Sequence, residues 1–410
     1  MPARPVVSAP REASQPGPLT GLVVADFSRI LAGPYLTMLL ADLGADVVKV
    51  ERPQTGDDAR QWGPPWSADG RSTYFLSVNR NKRSVELDLT DPGDLELARR
   101  LCERADVIVE NFRPGTMAKY GLDEGALRGR NPGVVYCSIS GFGSAAGATL
   151  QGYDLLVQAV GGLMSVTGPD AGTPTKVGVA MVDVLTGLHG AVGVLAALRE
   201  RERIGQGQLV SVNLLSTLLS SLVNHASGLL MAGVMPQPMG NRHPSVAPYE
   251  LLRAQDRPLA LAVGNDRQFA ALCSALDRPN LATDPRFATN PLRVGNRDSL
   301  VQELEASLSN LPARSWVDRL QPLGIPCGVV NDVGEALELA GELGLRPVVD
   351  LPGADGVADL AIADPITLSQ SPVAYRRAAP ALGEHNQELR SWLEALPGSE
   401  PSDPRPGSSP

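Results

Sequence analysis

The chain has 410 residues, 43% of them hydrophobic and 20% charged, enough for more than one core, since domains commonly run about 100 to 200 residues. Thirty-six Lys and Arg against 45 Asp and Glu leave a net charge of -9, which excludes a surface that is, as a whole, a nucleic-acid or anionic-membrane footprint. Any anionic partner has to be met by a local basic cluster.

Residues 1–18, MPARPVVSAPREASQPGP, are rich in Pro, Ala and Ser and lack the continuous apolar stretch of a secretory signal; they read as a disordered tail. Residues 396–410 share that character and read as a second one. From Leu19, short apolar runs alternate with helical periodicity: LVVADF, a helix over YLTMLLADLG, DVVKVE, SVELDL, a helix over DLELARRLCER, DVIVE and VVYCSIS. Strands interleaved with helices of this length predict βαβ units, hence an α/β domain whose parallel sheet is covered on both faces, over 19–225.

Its later part, roughly Asp154 to Met235, is long helical sequence with one strand, QLVSVN, set off by the turn RIGQGQ. Leu214 to Met235 approaches membrane-span length, but serines, Asn224 and His225 interrupt it, so it is read as a buried helix. A Pro-rich linker over 226–244 follows. YELLRA and LALAVG then predict a strand pair, with helices at 265–276, 295–309 and 313–322, giving a smaller α+β domain over 245–335. CGVVND and PVVDL are strand-like, and the chain returns to the first domain over 336–392, ending in a helix at LGEHNQELRSWL.

The four cysteines, Cys102, Cys137, Cys273 and Cys327, form no C-x-x-C pair. Neither a disulfide framework nor a zinc site is expected, and the setting is read as reducing and cytoplasmic. His189, His225, His243 and His385 are too dispersed for metal-ligand spacing, so no metal is expected. GFGSAAG (141–147) approaches the dinucleotide fingerprint, but its last glycine falls one place late, and it reads as a plain turn. No P-loop pattern occurs.

Basic residues concentrate in VNRNKRS (78–84), where Arg80, Lys82 and Arg83 lie between two strand-like runs. Such a cluster is either a solvated turn or a phosphate site. Arg29, Arg52, Arg113 and Lys119 fall at or just after the carboxyl ends of predicted strands, the ligand crevice of an open α/β sheet. A phosphate-rich ligand is expected there. Asp183 stands alone among apolar residues and glycines in GVAMVDVLTGLHG. At a helix start it reads as an N-cap or first-turn acid that complements the dipole; in apolar surroundings it is also a competent nucleophile toward an acyl group. The local sequence leaves both open.

Taken in order, several stretches resemble the family III CoA-transferases (the CaiB/BaiF type). They are DFSRILAGPYLTMLLADLGADVVKVERP (26–53), GDDARQWGPP (56–65), STYFLSVNRNKRSVELDL (72–89), ENFRPGTMAKYGL (110–122), VVYCSISGFG (134–143), GYDLLVQAVGGLMSVTG (152–168), VGVAMVDVLTGLHG (177–190), HPSVAPY (243–249), GIPCGVVND (324–332) and LGEH (382–385). The resemblance covers about residues 19 to 392. It implies a large Rossmann-like domain plus a small α+β domain, in two chains interlocked as a homodimer. It implies acyl-CoA and carboxylic acid substrates, no tightly bound cofactor, no metal, and neither nucleic acid nor membrane as a partner. It implies that Asp183 is the nucleophile, attacking an acyl-CoA thioester to give a mixed anhydride, which the released thiolate converts into an enzyme-bound CoA thioester; an incoming acid takes the CoA by the reverse steps.

Position by position, the resemblance places Ser28, Arg29, Ile30, Leu31 and Ala32 beside the thioester, with Arg52 after the second strand. Asn79, Arg80, Asn81 and Lys82 lie along the nucleotide, Asn111, Phe112 and Arg113 along the pantetheine or adenine, and Lys119 near a phosphate. Tyr153 and Asp154 border the active site, and the loop at Gly240, Asn241 and Arg242 closes over the intermediate. Arg52, Arg80, Lys82, Arg83, Arg113 and Lys119 are expected to gather at one crevice.

Leu31 stands where formyl-transferring members have glutamine, and the closing loop has no run of four glycines, which argues against formyl or oxalyl substrates. GDDARQWGPP and SVNRNKRS are most similar to members exchanging CoA between succinate and glutarate. That implies a dicarboxylic donor or acceptor, its distal carboxylate held by Arg29 or Arg242. One rival is a 2-methylacyl-CoA racemase of the same superfamily, which needs an opposed His and Asp; the segment carrying that His reads Gly152, Tyr153, Asp154 here, and tyrosine is a poor base at neutral pH. The other is a non-catalytic CoA-binding protein, which has no use for Asp183.

Overall fold

The computed structural model describes residues 16–353 and 358–395; apart from residues 16–18, the two tails expected at 1–18 and 396–410 lie outside the described residues. Six short Val/Ile-rich runs become strands: β1 (Val23–Asp26), β2 (Asp46–Glu51), β3 (Lys82–Glu86), β4 (Val107–Glu110), β5 (Val135–Ser140) and β6 (Leu209–Asn213). They form one sheet in the order β3-β2-β1-β4-β5-β6, every neighbouring pair parallel. This is the doubly wound Rossmann order.

β1, β2 and β4 are buried along their whole length, as a parallel sheet covered on both faces requires. On one face Val47, Val107 and Val135 pack under Leu36 and Leu40 of helix Ala32–Asp42 and Val194 of helix Met181–Ile204. On the other, Val48 and Ile108 meet Leu97 and Leu101 of helix Pro92–Arg104 and Leu389 and Leu393 of the closing helix Asn386–Glu394. Helix Pro92–Arg104 starts where Asp91 accepts the N–H groups of Gly93 and Asp94, with Pro92 in its first turn, a side-chain cap combined with a preset φ. Truncating Leu36 or Leu101 to alanine costs about 2–5 kcal/mol by the usual cavity penalty.

The chain divides into two compact units. Among the described residues, the first takes those up to Leu163, Val177–Ser227 and those from Ala340 on; the second takes Met164–Lys176 and Gly228–Leu339. Met164–Lys176, expected in the large domain, therefore groups with the smaller unit. The stretch 226–244, expected as a linker, begins inside the helix Val223–Ala232.

The second unit holds an antiparallel sheet of β7 (Tyr249–Arg253), β8 (Pro258–Ala262) and β9 (Cys327–Val329). Helices Asp266–Ala275, Arg297–Leu308 and Ala313–Leu320 close its core around Phe269, Leu304 and Trp316. In the first unit, β10 (Val348–Leu351) and β11 (Asp359–Ile362) pair only with each other and do not extend the parallel sheet.

The stretch from Leu214 is not the single buried helix expected. It breaks into Leu214–Ser221 and Val223–Ala232, bent by 77°, at Val223, whose φ of +40° ends the first helix. The second helix buries none of its residues; Leu230 and Met231 are 84% and 88% exposed. Helix Met181–Ile204 is long and apolar enough to cross a membrane, but Val182, Gly187, Gly190 and Val194 are buried along one of its faces.

Candidate active site

Strand order reverses between β1 and β4, and open α/β sheets bind ligands outside the carboxyl ends of the strands at such a point. A cavity of about 300 Å³ lies there, lined among others by Phe27, Arg29, Arg52, Phe112, Thr116 and Tyr120. The Arg29 guanidinium carbon sits 5.0 Å from the centre of the Phe112 ring and Nη1 is 3.1 Å from Asp58. Arg52 shares Asp58. The two arginine side chains stay 32% and 50% exposed, so both cations remain available to an anion. Arg113 and Lys119 are exposed on the segment between Phe112 and Tyr120.

The basic loop does not join them. Arg80 is buried and makes a forked pair with Asp42, at 2.6 to 3.1 Å, while Nη1 donates to the Ile362 carbonyl. Arg83 forks onto Asp46 and also reaches Glu388. Lys82 is fully buried and donates to Asp26, the Pro34 carbonyl and Asn79. Of the six cations expected at one crevice, these three are interior counter-ions, because a buried charge is tolerated only when paired. Burial pushes the Lys82 ammonium down to about 8, against the pull of Asp26. Burial pushes the Asp42 carboxyl up to about 6, against the pull of Arg80. Asn79 and Asn81 are buried as well: Asn79 donates to the Phe75 carbonyl, and Asn81 donates to Asp42 and the Ala374 carbonyl. These side chains hold the sheet edge together and are not free to line a nucleotide.

The turn after β1 is held by side chains. Ser28 is buried and donates both its N–H and its hydroxyl to Asp26, while its carbonyl accepts from Lys49 at 2.9 Å. Asn111 accepts from Arg29 N–H at 2.9 Å and donates to Arg29 carbonyl oxygen at 2.8 Å. Ile30 stands at φ +71°, and its N–H donates to both oxygens of Asp57. Leu31 and Ala32 turn inward and are buried; Ile30, Leu31, Tyr74, Ala180 and Val184 belong to one apolar cluster.

Asp183 therefore lies between two residues packed near that turn. It sits in the first turn of helix Met181–Ile204. Gly187, one turn on, faces helix Ala32–Asp42 so closely that a Cβ there would fall 2.7 Å from the Ala32 carbonyl oxygen. The helix position before the first turn is Ala180, which offers no side-chain cap. The orphan N–H groups are met instead by Asp154, whose Oδ1 accepts from Val182 at 2.8 Å and from Asp183 at 3.4 Å. Gln158 donates to the other Asp154 oxygen.

Asp183 is therefore not the N-cap, a role Asp154 fills, although it remains an acid in the helix's first turn. Burial pushes the Asp183 carboxyl up to about 7, with the Asp154 charge adding to it. Asp154 heads helix Asp154–Val160 behind the exposed Tyr153. Gly141 and Gly152 pass so close that a Cβ on Gly141 would lie 2.4 Å from the Gly152 Cα, which fixes where that helix begins. Tyr74, absent from the sequence reading, belongs to the same neighbourhood: burial and the charges of Asp183, Asp154 and Asp57 push its phenol up to about 12.

In the second unit Gly240 adopts φ +61° and donates to the Gly168 carbonyl. Asn241 is exposed. Arg242 is engaged by Glu250 at 3.4 Å and Asp298 at 3.0 Å. Among the described residues no group of three or more His, Cys, Asp or Glu side chains is arranged to hold a metal ion.

A sequence model of CoA-transferase family III matches residues 19–386. The chain is 41% identical over 387 residues to a succinate–glutarate CoA-transferase of Agrobacterium fabrum, spanning 92% of this chain and 96% of that one. It is 38% identical to an acetyl-CoA:oxalate CoA-transferase of Acetobacter aceti, spanning 92% of this chain and 96% of that one. The crystal structure of a CaiB/BaiF family protein from Brucella suis superposes with a TM-score of 0.84 at 40% identity, covering 93% of this chain and all of that one.

Proposed function

The chain belongs to CoA-transferase family III and is an enzyme that moves CoA from an acyl-CoA to a free carboxylic acid, and we propose that it does so through covalent intermediates on Asp183. The observation that carries this reading is the division of labour at the helix start: Asp154 satisfies the backbone, and Asp183 is left with a poorly solvated carboxyl near 7. Desolvation raises the basicity of a carboxylate, and a more basic carboxylate is a better nucleophile.

Asp183 attacks the thioester carbonyl; a C–O bond forms, the C–S bond breaks, and CoA leaves as thiolate. The thiolate then attacks the Asp183 carbonyl of the mixed anhydride, expelling the donor acid and leaving CoA bound to Asp183 as a thioester. The acceptor carboxylate attacks that carbonyl, regenerates an anhydride, and receives CoA when the thiolate attacks its acyl carbon. One thioester replaces another, so no external energy source enters.

The cavity at the ends of β1, β2 and β4 takes the nucleotide of CoA. Arg52, Arg113 and Lys119 supply charge to its phosphates, and Phe112 and Tyr120 offer rings to the adenine. Succinyl-CoA is the proposed donor and a dicarboxylic acid the proposed acceptor, supported by likeness to the Agrobacterium transferase. Relatives of nearly equal identity carry different acids in their names, so the acceptor is chosen by local side chains. Two copies interlock, which the exposed apolar Val192, Leu230 and Met231 support. The four cysteines are free thiols, which supports a reducing, cytoplasmic setting.

Trapping tests the mechanism. The protein is incubated with succinyl-CoA, treated with hydroxylamine or borohydride, and the modified residue mapped. Modification at Asp183 is expected. An unmodified Asp183, with Asp183→Ala retaining full exchange between acyl-CoA and free acid, overturns the reading. Loss of α-deuterium from a chiral 2-methylacyl-CoA marks proton abstraction instead.

A further inference from the structure

We propose that Asp57 is a positioning residue for the transfer: with Lys49 and Asn111 it casts Ser28–Ile30 into a turn with Ile30 at left-handed φ that sets the wall beside Asp183. The proposal rests on the reading of Asp183 as the nucleophile.

Five consecutive backbone groups of this turn are paired to side chains: the N–H and C=O of Ser28, the N–H and C=O of Arg29, and the N–H of Ile30. A turn that made its own hydrogen bonds would hold its shape unaided; this one takes its shape from Asp26, Lys49, Asn111 and Asp57. Ile30 shows why such support is needed. A β-branched residue at φ +71° is a genuine outlier, and a conformation of this kind persists only where its surroundings over-determine it.

Asp57 provides the determination. Both its oxygens accept the Ile30 N–H, at 3.1 and 3.2 Å. The same carboxylate accepts from Ala59 N–H at 3.0 Å, while its own N–H donates to Glu51 at 3.0 Å. Lys49, fully buried like its partner, donates to Asp57 at 2.9 Å and to the Ser28 carbonyl at 2.9 Å. One ammonium therefore ties the start of the turn to the carboxylate that fixes its end. The consequence reaches the reacting group through packing, since Ile30 and Leu31 share a cluster with Ala180 and Val184, on either side of Asp183 in the chain.

Structural support alone and a conformational role are separated by rescue. Glycine adopts positive φ freely and asparagine does so more readily than isoleucine, so either residue at position 30 needs the cast less. Steady-state exchange from succinyl-CoA to glutarate is measured on the full chain carrying Asp57→Asn, and on Asp57→Glu, which keeps a partner for Lys49 while displacing the carboxylate from Ile30. Each is expected to lower kcat about 10- to 100-fold with KM for succinyl-CoA nearly unchanged. Adding Ile30→Gly or Ile30→Asn is expected to return at least about fivefold.

A folded Asp57 variant with the parent kcat overturns the proposal, and so does a double variant no faster than the single one. Asp183→Asn is measured alongside. If it retains exchange, the nucleophile reading has failed; if it is inactive while the Asp57 variants are fully active, only the positioning role has failed.

Discussion

Asp154 accepts the N–H of Asp183 through the same oxygen that accepts the N–H of Val182, at 3.4 and 2.8 Å. An acid from a neighbouring helix thus occupies the positive end of the helix that carries the proposed nucleophile, and its charge helps to keep the second carboxyl protonated. Asp154→Asn keeps an oxygen to cap with and removes the like charge. The acid limb of the kcat/KM profile is expected to move to lower pH. It stays above the ordinary carboxylate range, because burial is the larger cause. An unchanged limb would show that Asp154 acts as a cap alone.

The parent profile follows from the same carboxyl. If Asp183 attacks as the ionised carboxylate, as proposed, kcat/KM should rise about tenfold per pH unit below about 7 and level off above about pH 8. A profile flat from pH 5 to 8 contradicts a nucleophile held near 7. Rates of succinyl-CoA consumption in a constant-ionic-strength buffer series measure it.

Asp183→Asn should abolish exchange, by about 10⁴-fold or more, and should also stabilise the fold at high pH. The folded carboxyl lies near 7 and the unfolded one near 3.8. The native state therefore pays for ionisation as pH rises from about 4 through 7, and the full penalty is present above that. Asparagine escapes it. A gain of up to about 4 kcal/mol at pH 8, shrinking toward pH 4, is expected from urea unfolding.

Arg80 and Arg52 should separate cleanly. Arg80→Ala strands the buried Asp42, so a loss of about 3–5 kcal/mol in unfolding free energy is expected. Arg52→Ala should leave Tm within about 2 °C and raise KM for succinyl-CoA about 5- to 20-fold, because the side chain is half exposed at the cavity. The reverse pattern, with a stable Arg80→Ala protein of raised KM, would return the basic loop to the CoA site. Thermal melts and steady-state kinetics on the two variants decide it.

The alternation of short strand-like runs with helical periodicity was sufficient to read the parallel sheet, because runs such as DVIVE and VVYCSIS keep their apolar residues at strand spacing. The role of the basic loop was not legible, since a cation's sequence neighbours do not state its partner. Arg80 and Arg83 face Asp42 and Asp46, contributed by the helix and strand about 40 residues earlier. One signal was available: Lys49 sits between the apolar Val48 and Val50 inside a strand, and a cation buried there requires an acid partner. That argument leads to Asp57 and so to the turn at Ile30. The stretch from Leu214 misled for a different reason. Apolar composition indicates that a surface should be covered, and Leu230 and Met231 are uncovered within a single chain.

The turn after β1 carries a constraint on how the sequence can change. Because its backbone groups are matched one by one to Asp26, Lys49, Asn111 and Asp57, inserting or deleting one residue between Phe27 and Leu31 shifts every match at once. Surface loops ordinarily vary in length at small cost; this one should have a fixed length, with diversity confined to the side chain of Arg29. Any redesign around this turn should therefore replace neighbouring residues and leave its residue count alone.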